Sequence, residues 1–286
     1  MSFLGKLRGR LGFVSQHRPM KTAEDIEKFK SQAWTSSKAA DTYSRHVEQI
    51  FFDLVTGPLF AEQLPPGSRV LDVGSGTGRL SLHLAARGHE VTAADISAAM
   101  LEHIKLQPNG DRIQTLTCSG DQIPLPDGSM DAVVSMDFMV HFANWEKFLK
   151  EQARICRPGG LVVFNFLSQD NKAMLEQAAS ECNLSGEVYQ VTHFAPFANA
   201  EGLRAAATGC GLELMSVNPY NFFGENALFN VALDRQEMTE FQLLFTEALS
   251  SPVTRRFVEH FERHVMRKMP NWASLFTLVT MRRVAP

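Results

Sequence analysis

Short apolar runs alternate with amphipathic stretches of helical period along most of this chain, a pattern that predicts a parallel sheet with crossover helices. Val70, Leu71 and Val73 make the first apolar run, a strand buried on both faces. Leu80 and Leu84 follow one helical turn apart, Gly88 offers a left-handed cap, and His89–Ala94 is a second strand ending on Asp95. Ser97 caps a helix with Met100, Leu101 and Ile104 inward, stopped by Pro108. Further strands are expected at Ile113–Cys118, Asp131–Ser135, Leu161–Phe166, Leu212–Val217 and Ala273–Met281. Helices are expected at Asp41–Val55 (Val47, Ile50, Phe51 and Leu54 on one face), from Trp145 to Ile155 capped by Asn144, and from Asn199 to Cys210. Residues 222–272 carry two more helical patterns, Met238–Leu249 and Val253–Met269.

Turn chemistry narrows the reading. The first strand runs through Gly74-Ser75-Gly76-Thr77-Gly78 into its helix, so strand, glycine loop, helix, strand and acid form a βαβ nucleotide-binding unit. A dinucleotide fingerprint spaces its glycines G-x-G-x-x-G, to seat a pyrophosphate at the helix N-terminus. Here the spacing is G-x-G-x-G, Arg79 stands where the third glycine belongs, and Asp72 before the loop suits a cationic ligand better than a pyrophosphate. Asp95, at a strand's carboxyl end, is placed to accept bonds from ribose hydroxyls.

These residues resemble the first motif of the class I methyltransferases that use S-adenosylmethionine. Two later segments strengthen the resemblance: Gly120-Asp121-Gln122-Ile123-Pro124-Leu125-Pro126, and Arg157-Pro158-Gly159-Gly160 before an apolar strand. The implied fold is α/β: a Rossmann-like sheet of seven strands, mostly parallel with an antiparallel last strand, helices on both faces and a helical cap. The implied organisation is an N-terminal extension, 1–40, then one methyltransferase domain, 41–286, with a capping segment 168–198 and an insertion 222–272 over the substrate site.

The resemblance also implies roles. Gly74, Ser75, Gly76, Thr77 and Gly78 would meet the cofactor's amino-acid end, with Asp72 helping to hold its ammonium. Asp95 would hold the ribose, Ile96 and Met100 would flank the adenine, and Asp121 and Gln122 would frame it. Met136 lies at the fourth strand's carboxyl end, and Tyr43 on a covering helix; both join the cofactor set, with Trp34 a second aromatic candidate there. Asp137, Phe138 and His141 open onto the transferring methyl, and His141 either takes a proton from the attacking group or is a hydrogen-bonded histidine of the cleft wall. Tyr189, His193 and Tyr220 are further substrate candidates. Asn218-Pro219-Tyr220 resembles the N-P-P-Y signature of amine methyltransferases, but it follows the sixth strand and lacks the second proline, so it is not read as catalytic.

Composition adds boundaries. The net charge of −3 gives no reason to expect nucleic acid, and no apolar run reaches a membrane-spanning length. Cys118, Cys156, Cys182 and Cys210 are scattered without a C-x-x-C pair, as fits a reducing cytoplasm. The first 21 residues carry Lys6, Arg8, Arg10, Arg18 and Lys21 and no acid; they read as a solvated extension, with peripheral membrane contact the alternative. They lack the continuous apolar stretch of a signal peptide. His260 and His264 have metal-ligand spacing, but H-F-E-R-H offers no third ligand and no metal is expected. The expected activity is methyl transfer from S-adenosylmethionine to oxygen or nitrogen of a small-molecule or sugar-like acceptor, leaving S-adenosylhomocysteine. A quinone or lipid-linked acceptor is the alternative within that chemistry. A non-catalytic S-adenosylmethionine-binding protein and an NAD-linked oxidoreductase are the rivals outside it.

Overall fold

A computed structural model describes residues 51–181, 196–223 and 235–285. Tyr43, Trp34, Tyr189, His193, Cys182 and the basic N-terminal stretch lie outside the described residues. The strands are β1 (Arg69–Val73), β2 (Glu90–Asp95), β3 (Gln114–Thr117), β4 (Met130–Ser135), β5 (Cys156–Ser168), β6 (Phe197–Ala198), β7 (Leu212–Tyr220) and β8 (Phe276–Arg283). Their order across the sheet is β3-β2-β1-β4-β5-β8-β7, and the two-residue β6 pairs with the end of β5. Pairing is parallel from β3 through β5, and β8 runs antiparallel to both β5 and β7. The expected mostly parallel sheet with an antiparallel last strand is therefore present, with β6 as an additional short strand.

Successive strands step from β1 to β2 to β3 in one direction, and β4 then returns to the other side of β1. That reversal leaves a crevice at the carboxyl ends of β1 and β4, where open α/β sheets bind ligands. The register puts Asp72 beside Val134, so Gly74 and Met136 leave the sheet level with one another. Val70, Leu71, Val73, Val133, Val134, Val162, Val163 and Phe164 are fully buried along these central strands, which explains their continuous apolar runs.

Helices surround the sheet: α1 (Gly57–Ala61), α2 (Arg79–Ala85), α3 (Ala98–Lys105), α4 (Glu146–Ile155), α5 (Gln169–Glu181), α6 (Ala200–Gly209), α7 (Arg235–Ala248) and α8 (Pro252–His260). A π turn, Phe52–Thr56, leads into α1, so the helix expected to stop at Val55 continues to Ala61. Pro58 is accommodated because it falls in the first turn of α1, where a missing N–H matters least. Ser97 and Asn199 cap α3 and α6 as expected, accepting from the N–H groups of Met100 (3.3 Å) and Gly202 (2.9 Å). Asn144 makes no such bond: Trp145 occupies the cap position of α4, without a side-chain cap.

The last strand begins at Phe276 rather than Ala273. Pro270 opens a 3₁₀ turn over Asn271–Ala273, and the Ser274 hydroxyl then donates to the Tyr220 carbonyl. Residues 221–275 connect β7 to its neighbour β8 and hold α7, α8, a second π turn (Phe261–Val265) and two 3₁₀ turns. Glu262, fully buried, ties this connection to the end of β7 by accepting from the N–H groups of Asn221 (3.0 Å) and Phe223 (3.3 Å). Arg263 and Arg267 reach Glu62, just beyond α1, at 3.1 and 2.8 Å.

Candidate active site

The glycine loop takes its shape from backbone that only glycine adopts at low cost. Gly74, Gly76 and Gly78 have φ of +71, +55 and +83°. The N–H groups of Gly74 and Ser75 both donate to the Ala94 carbonyl, at 2.8 and 3.1 Å, fastening the loop to the end of β2. A methyl group at Gly76 would meet nothing within 4 Å, so the loop faces open space there. The Ser75 hydroxyl is buried without a hydrogen-bond partner among the described residues. An open cradle with an orphaned polar atom fits a polar ligand approaching the backbone closely.

Asp95 stands across the loop. One carboxylate oxygen accepts from the Gly76 N–H (2.9 Å) and the other from the Ser97 N–H (2.8 Å). Each oxygen keeps acceptor capacity for a ligand hydroxyl. Burial raises the Asp95 pKa against the bonds from Ser97, Gly76 and Ile96 that lower it. Ile96, next in sequence, is 49% exposed beside the half-buried Asp95. Met100 differs: it is 2% exposed and buried beneath its own helix, so its side chain is not presented at the loop.

Asp72 is also buried, at 1% exposure, and accepts from the Ser81 hydroxyl of α2 at 2.6 Å. Desolvation lifts its pKa to about 7, outweighing the Ser81 bond, and the nearby Asp95 charge adds to the rise. Asp72 therefore braces β1 against α2 from below the loop. Asp121 accepts from the Ser119 hydroxyl and pairs with Lys147 at 3.1 Å, which lowers its pKa. With Lys147, Lys150, Glu151 and Arg154 it lines a cavity of about 340 Å³ along α4 that contains none of the loop glycines. Gln122 is exposed, and its N–H donates to the Ser119 carbonyl at 3.1 Å.

Beyond β4 the chain turns sharply. Asp137 has φ of +53°, and two bonds pin it there: its N–H donates to Asn165 Oδ1 at 2.7 Å, and Asn165 Nδ2 donates back to Asp137 Oδ1. Asn165 belongs to β5 and is 1% exposed, so a buried amide specifies an otherwise costly backbone conformation. The remaining Asp137 oxygen faces Arg79 of α2 at 3.7 Å, and the Arg79 guanidinium lies over the Phe52 ring at 4.8 Å. Phe138 turns inward: methyl groups at Gly74 and Gly120 would stand 2.3 and 2.6 Å from its ring. It also packs against Phe142 and Phe148, at 5.2 and 5.1 Å between ring centres. Met136 and His141 are half-buried at the same strand end, His141 closing a 3₁₀ turn over Met139–His141.

The structure thus brings the loop glycines, Asp95, Ile96, Met136, Asp137 and His141 to the carboxyl ends of β1, β2 and β4, with Phe138 packed beneath the loop. Tyr220 lies at the carboxyl end of β7 but is 3% exposed, packed against Phe276 at 6.4 Å. Arg79 and Asn165 were not read from sequence as site residues. Arg79 was legible only as a missing glycine, and nothing in a strand's sequence marks one asparagine as the anchor of a distant turn. His260 and His264 stand 4.7 Å apart between ring centres, and no described group of three or more His, Cys, Asp or Glu gathers around them.

A family model described as a methyltransferase domain matches residues 71–164. The ubiquinone biosynthesis O-methyltransferase of Azoarcus sp. (strain BH72) is 31% identical over 156 residues, covering 53% of this chain and 67% of that protein. The demethylmenaquinone methyltransferase of Thermus thermophilus is 40% identical over 103 residues, covering 34% and 47%. For most of the curated relatives it matches, the chain spans about half their length. Among solved structures, the Burkholderia thailandensis 1,6-didemethyltoxoflavin-N1-methyltransferase, with bound S-adenosylhomocysteine, shares the fold at a TM-score of 0.53 and 11% identity over 94% of this chain and 93% of that one. The chain belongs to the class I S-adenosylmethionine-dependent methyltransferases. Membership implies S-adenosylmethionine as the methyl donor.

Proposed function

We propose that this enzyme methylates an oxygen or nitrogen of a small, predominantly apolar acceptor, of the quinone or lipid-linked kind rather than a sugar. The observation that carries the acceptor class is a cluster of aromatic rings that starts beside Arg79, the partner of Asp137, and runs into the connection between β7 and β8. Arg79 lies over Phe52; beside it Phe51 meets Phe245 at 6.5 Å, Phe223 stacks on Phe245 at 5.6 Å, and Phe261 meets Phe223 at 5.1 Å. A sugar would leave its hydroxyls unpaired against such a wall, whereas an apolar ring or tail loses nothing there. Relatives named for ubiquinone and menaquinone synthesis agree with that choice.

S-adenosylmethionine supplies an electrophilic methyl on a sulfonium, so the protein's part is to bind, align and exclude water. On this reading the loop of Gly74, Gly76 and Gly78 takes the amino-acid end of the donor, with Ser75 supplying a hydroxyl. Asp95 takes the ribose, Ile96 and the nearby Met136 lie against apolar parts of the nucleoside, and Phe138 holds the loop at its working distance. Asp137, fixed by Asn165 and facing Arg79, orients the acceptor side; His141 is the candidate to receive the acceptor's proton. Phe223, Phe245 and Phe261, from the connection between β7 and β8, form the acceptor wall.

The test is transfer of label. Purified protein with methyl-labelled S-adenosylmethionine and an extract of cells lacking the enzyme should place label in an organic-soluble product. Label in a water-soluble, sugar-like product refutes the acceptor class, and no transfer to any fraction refutes catalysis of methyl transfer.

A further inference from the structure

The segment Pro252–Met269 carries an inner, buried set of side chains and an outer apolar stripe. Val258, Glu262 and Met266, spaced by four, face inward and are buried. Val253, Phe257, Phe261, Val265 and Met269 form a second set, also spaced by four, and only Phe261 of these is half-buried. Val253 is 66% and Phe257 58% exposed. On a helix with a period of about 3.6 residues, such a spacing drifts around the axis, and the outer set would rotate toward the protein within a few turns. The π turn at Phe261–Val265 is wider and takes up that drift. The turn keeps both sets in line, the buried Val258, Glu262 and Met266 against the protein and the outer set along the exposed side. Trp272, inside the 3₁₀ turn Asn271–Ala273 that follows, is 45% exposed.

Charge beside the stripe has one sign. Arg255, Arg256 and Lys268 are exposed and Arg267 is paired with Glu62 at 2.8 Å, while of the two acids in the segment Glu262 is buried and Glu259 is paired with Arg263 at 3.1 Å. Basic side chains flanking exposed Phe, Val, Met and Trp make the composition of a helix that lies in a lipid–water interface, its apolar edge among acyl chains and its cations among headgroups. A water-soluble partner would be expected to satisfy hydrogen-bonding groups along its footprint, and the outer stripe offers none. No helix of the described residues is long and apolar enough to cross a membrane, so the contact is of the peripheral kind.

We propose that α8 and the π turn after it form a docking surface for an anionic lipid bilayer, with Val253, Phe257, Val265, Met269 and Trp272 entering the interface and Arg256 and Lys268 meeting lipid phosphates. The inference rests on this surface alone and stands whichever acceptor is methylated.

The test uses the full chain with vesicles of mixed phosphatidylglycerol and phosphatidylcholine, and with vesicles of phosphatidylcholine alone, in a sedimentation assay. Binding to the mixed vesicles should exceed binding to the neutral ones and weaken with salt. Val253→Ser with Phe257→Ser should reduce partitioning about tenfold, and Arg256→Ala or Lys268→Ala about fivefold each; the two charge variants should leave thermal unfolding unchanged, while the serine pair lowers it modestly because Phe257 also meets the Phe223 and Phe261 rings at 6.1 and 6.2 Å. Tryptophan emission should shift to the blue on binding, and Trp272→Phe should abolish the shift. The proposal is overturned if the full chain ignores anionic vesicles, or if the double serine variant binds as well as the parent. It is also overturned if sedimentation velocity shows a dimer that the serine variant dissolves, since the stripe then belongs to a second copy of the chain.

Discussion

Two glycines in the same backbone conformation give a controlled test of where the donor lies. Gly76 has φ of +55° and Gly88 +86°, and a methyl group on either would meet nothing within 4 Å. Alanine at either position therefore costs only the left-handed backbone penalty, about 1–2 kcal/mol, with no steric term added. Both variants should fold, with melting temperatures lowered by roughly 2–6 °C for a chain of this size. Their effects on ligand binding should diverge. Gly88 follows α2 on the surface, whereas the open space before Gly76 is where the donor's amino-acid end is proposed to approach. Calorimetric titration with S-adenosylhomocysteine should show Gly88→Ala at parental affinity. Gly76→Ala should be weaker by at least about tenfold, roughly 1.4 kcal/mol. Equal affinities for the two variants would refute the reasoning, because the space before Gly76 would then not be ligand space.

Other expectations follow from the same geometry. Asp95→Ala should weaken S-adenosylhomocysteine by about 1–3 kcal/mol by calorimetry and also lower the melting temperature, since two backbone N–H groups lose their acceptor. Asn165→Ala should release Asp137 from its left-handed turn; steady-state kinetics should show kcat falling more than donor affinity, because Asn165 holds Asp137, the residue proposed to orient the acceptor. The Glu262 carboxyl has its pKa pushed up to about 7 by burial, so the fold prefers its protonated form. That stabilisation is complete below the unfolded value and is lost as pH rises through about 7, amounting to about 3 kcal/mol by linkage. Chemical denaturation between pH 5 and pH 8 should show falling stability, with a shallower slope in Glu262→Gln. Asp72, raised in the same direction, contributes a second part of the slope that Asp72→Asn removes. A flat profile in the parent would contradict both assignments.

The first βαβ unit was legible because each of its signals is local. A buried strand, a glycine triplet and a helical leucine pair agree with one another over a short span, and nothing distant overrides them. The parts that were not legible depend on contacts across the sheet. Phe138 reads as a side chain facing the acceptor, yet it packs onto Gly74 and Gly120, which removes it from the open cleft and makes both glycines steric requirements. Asp137 reads as a substrate-side acid, but nothing local marks its left-handed turn, which is set by Asn165 on the neighbouring strand. Met100 falls on the inward helical face that its spacing predicted, and burial takes its side chain from the loop. The length of β7 was underestimated because Asn218 and Pro219 look like a turn; β8 pairs with both, and Pro219 sits on a sheet edge where a missing N–H costs no ladder bond. The π turn in the insertion leaves no residue-type signal, and the helical pattern read over Val253–Met269 gives no hint of it.

The central claim is that the bend after β1, at the reversal of strand order, holds the sulfonium nucleoside. A crystal structure of the protein grown with S-adenosylhomocysteine tests it most directly. The account predicts the amino-acid end of the ligand against Gly74, Gly76 and Ser75, its ribose hydroxyls on Asp95 and its base beside Ile96. Ligand density elsewhere, or a glycine loop that stays bare while the ligand is bound, would contradict it.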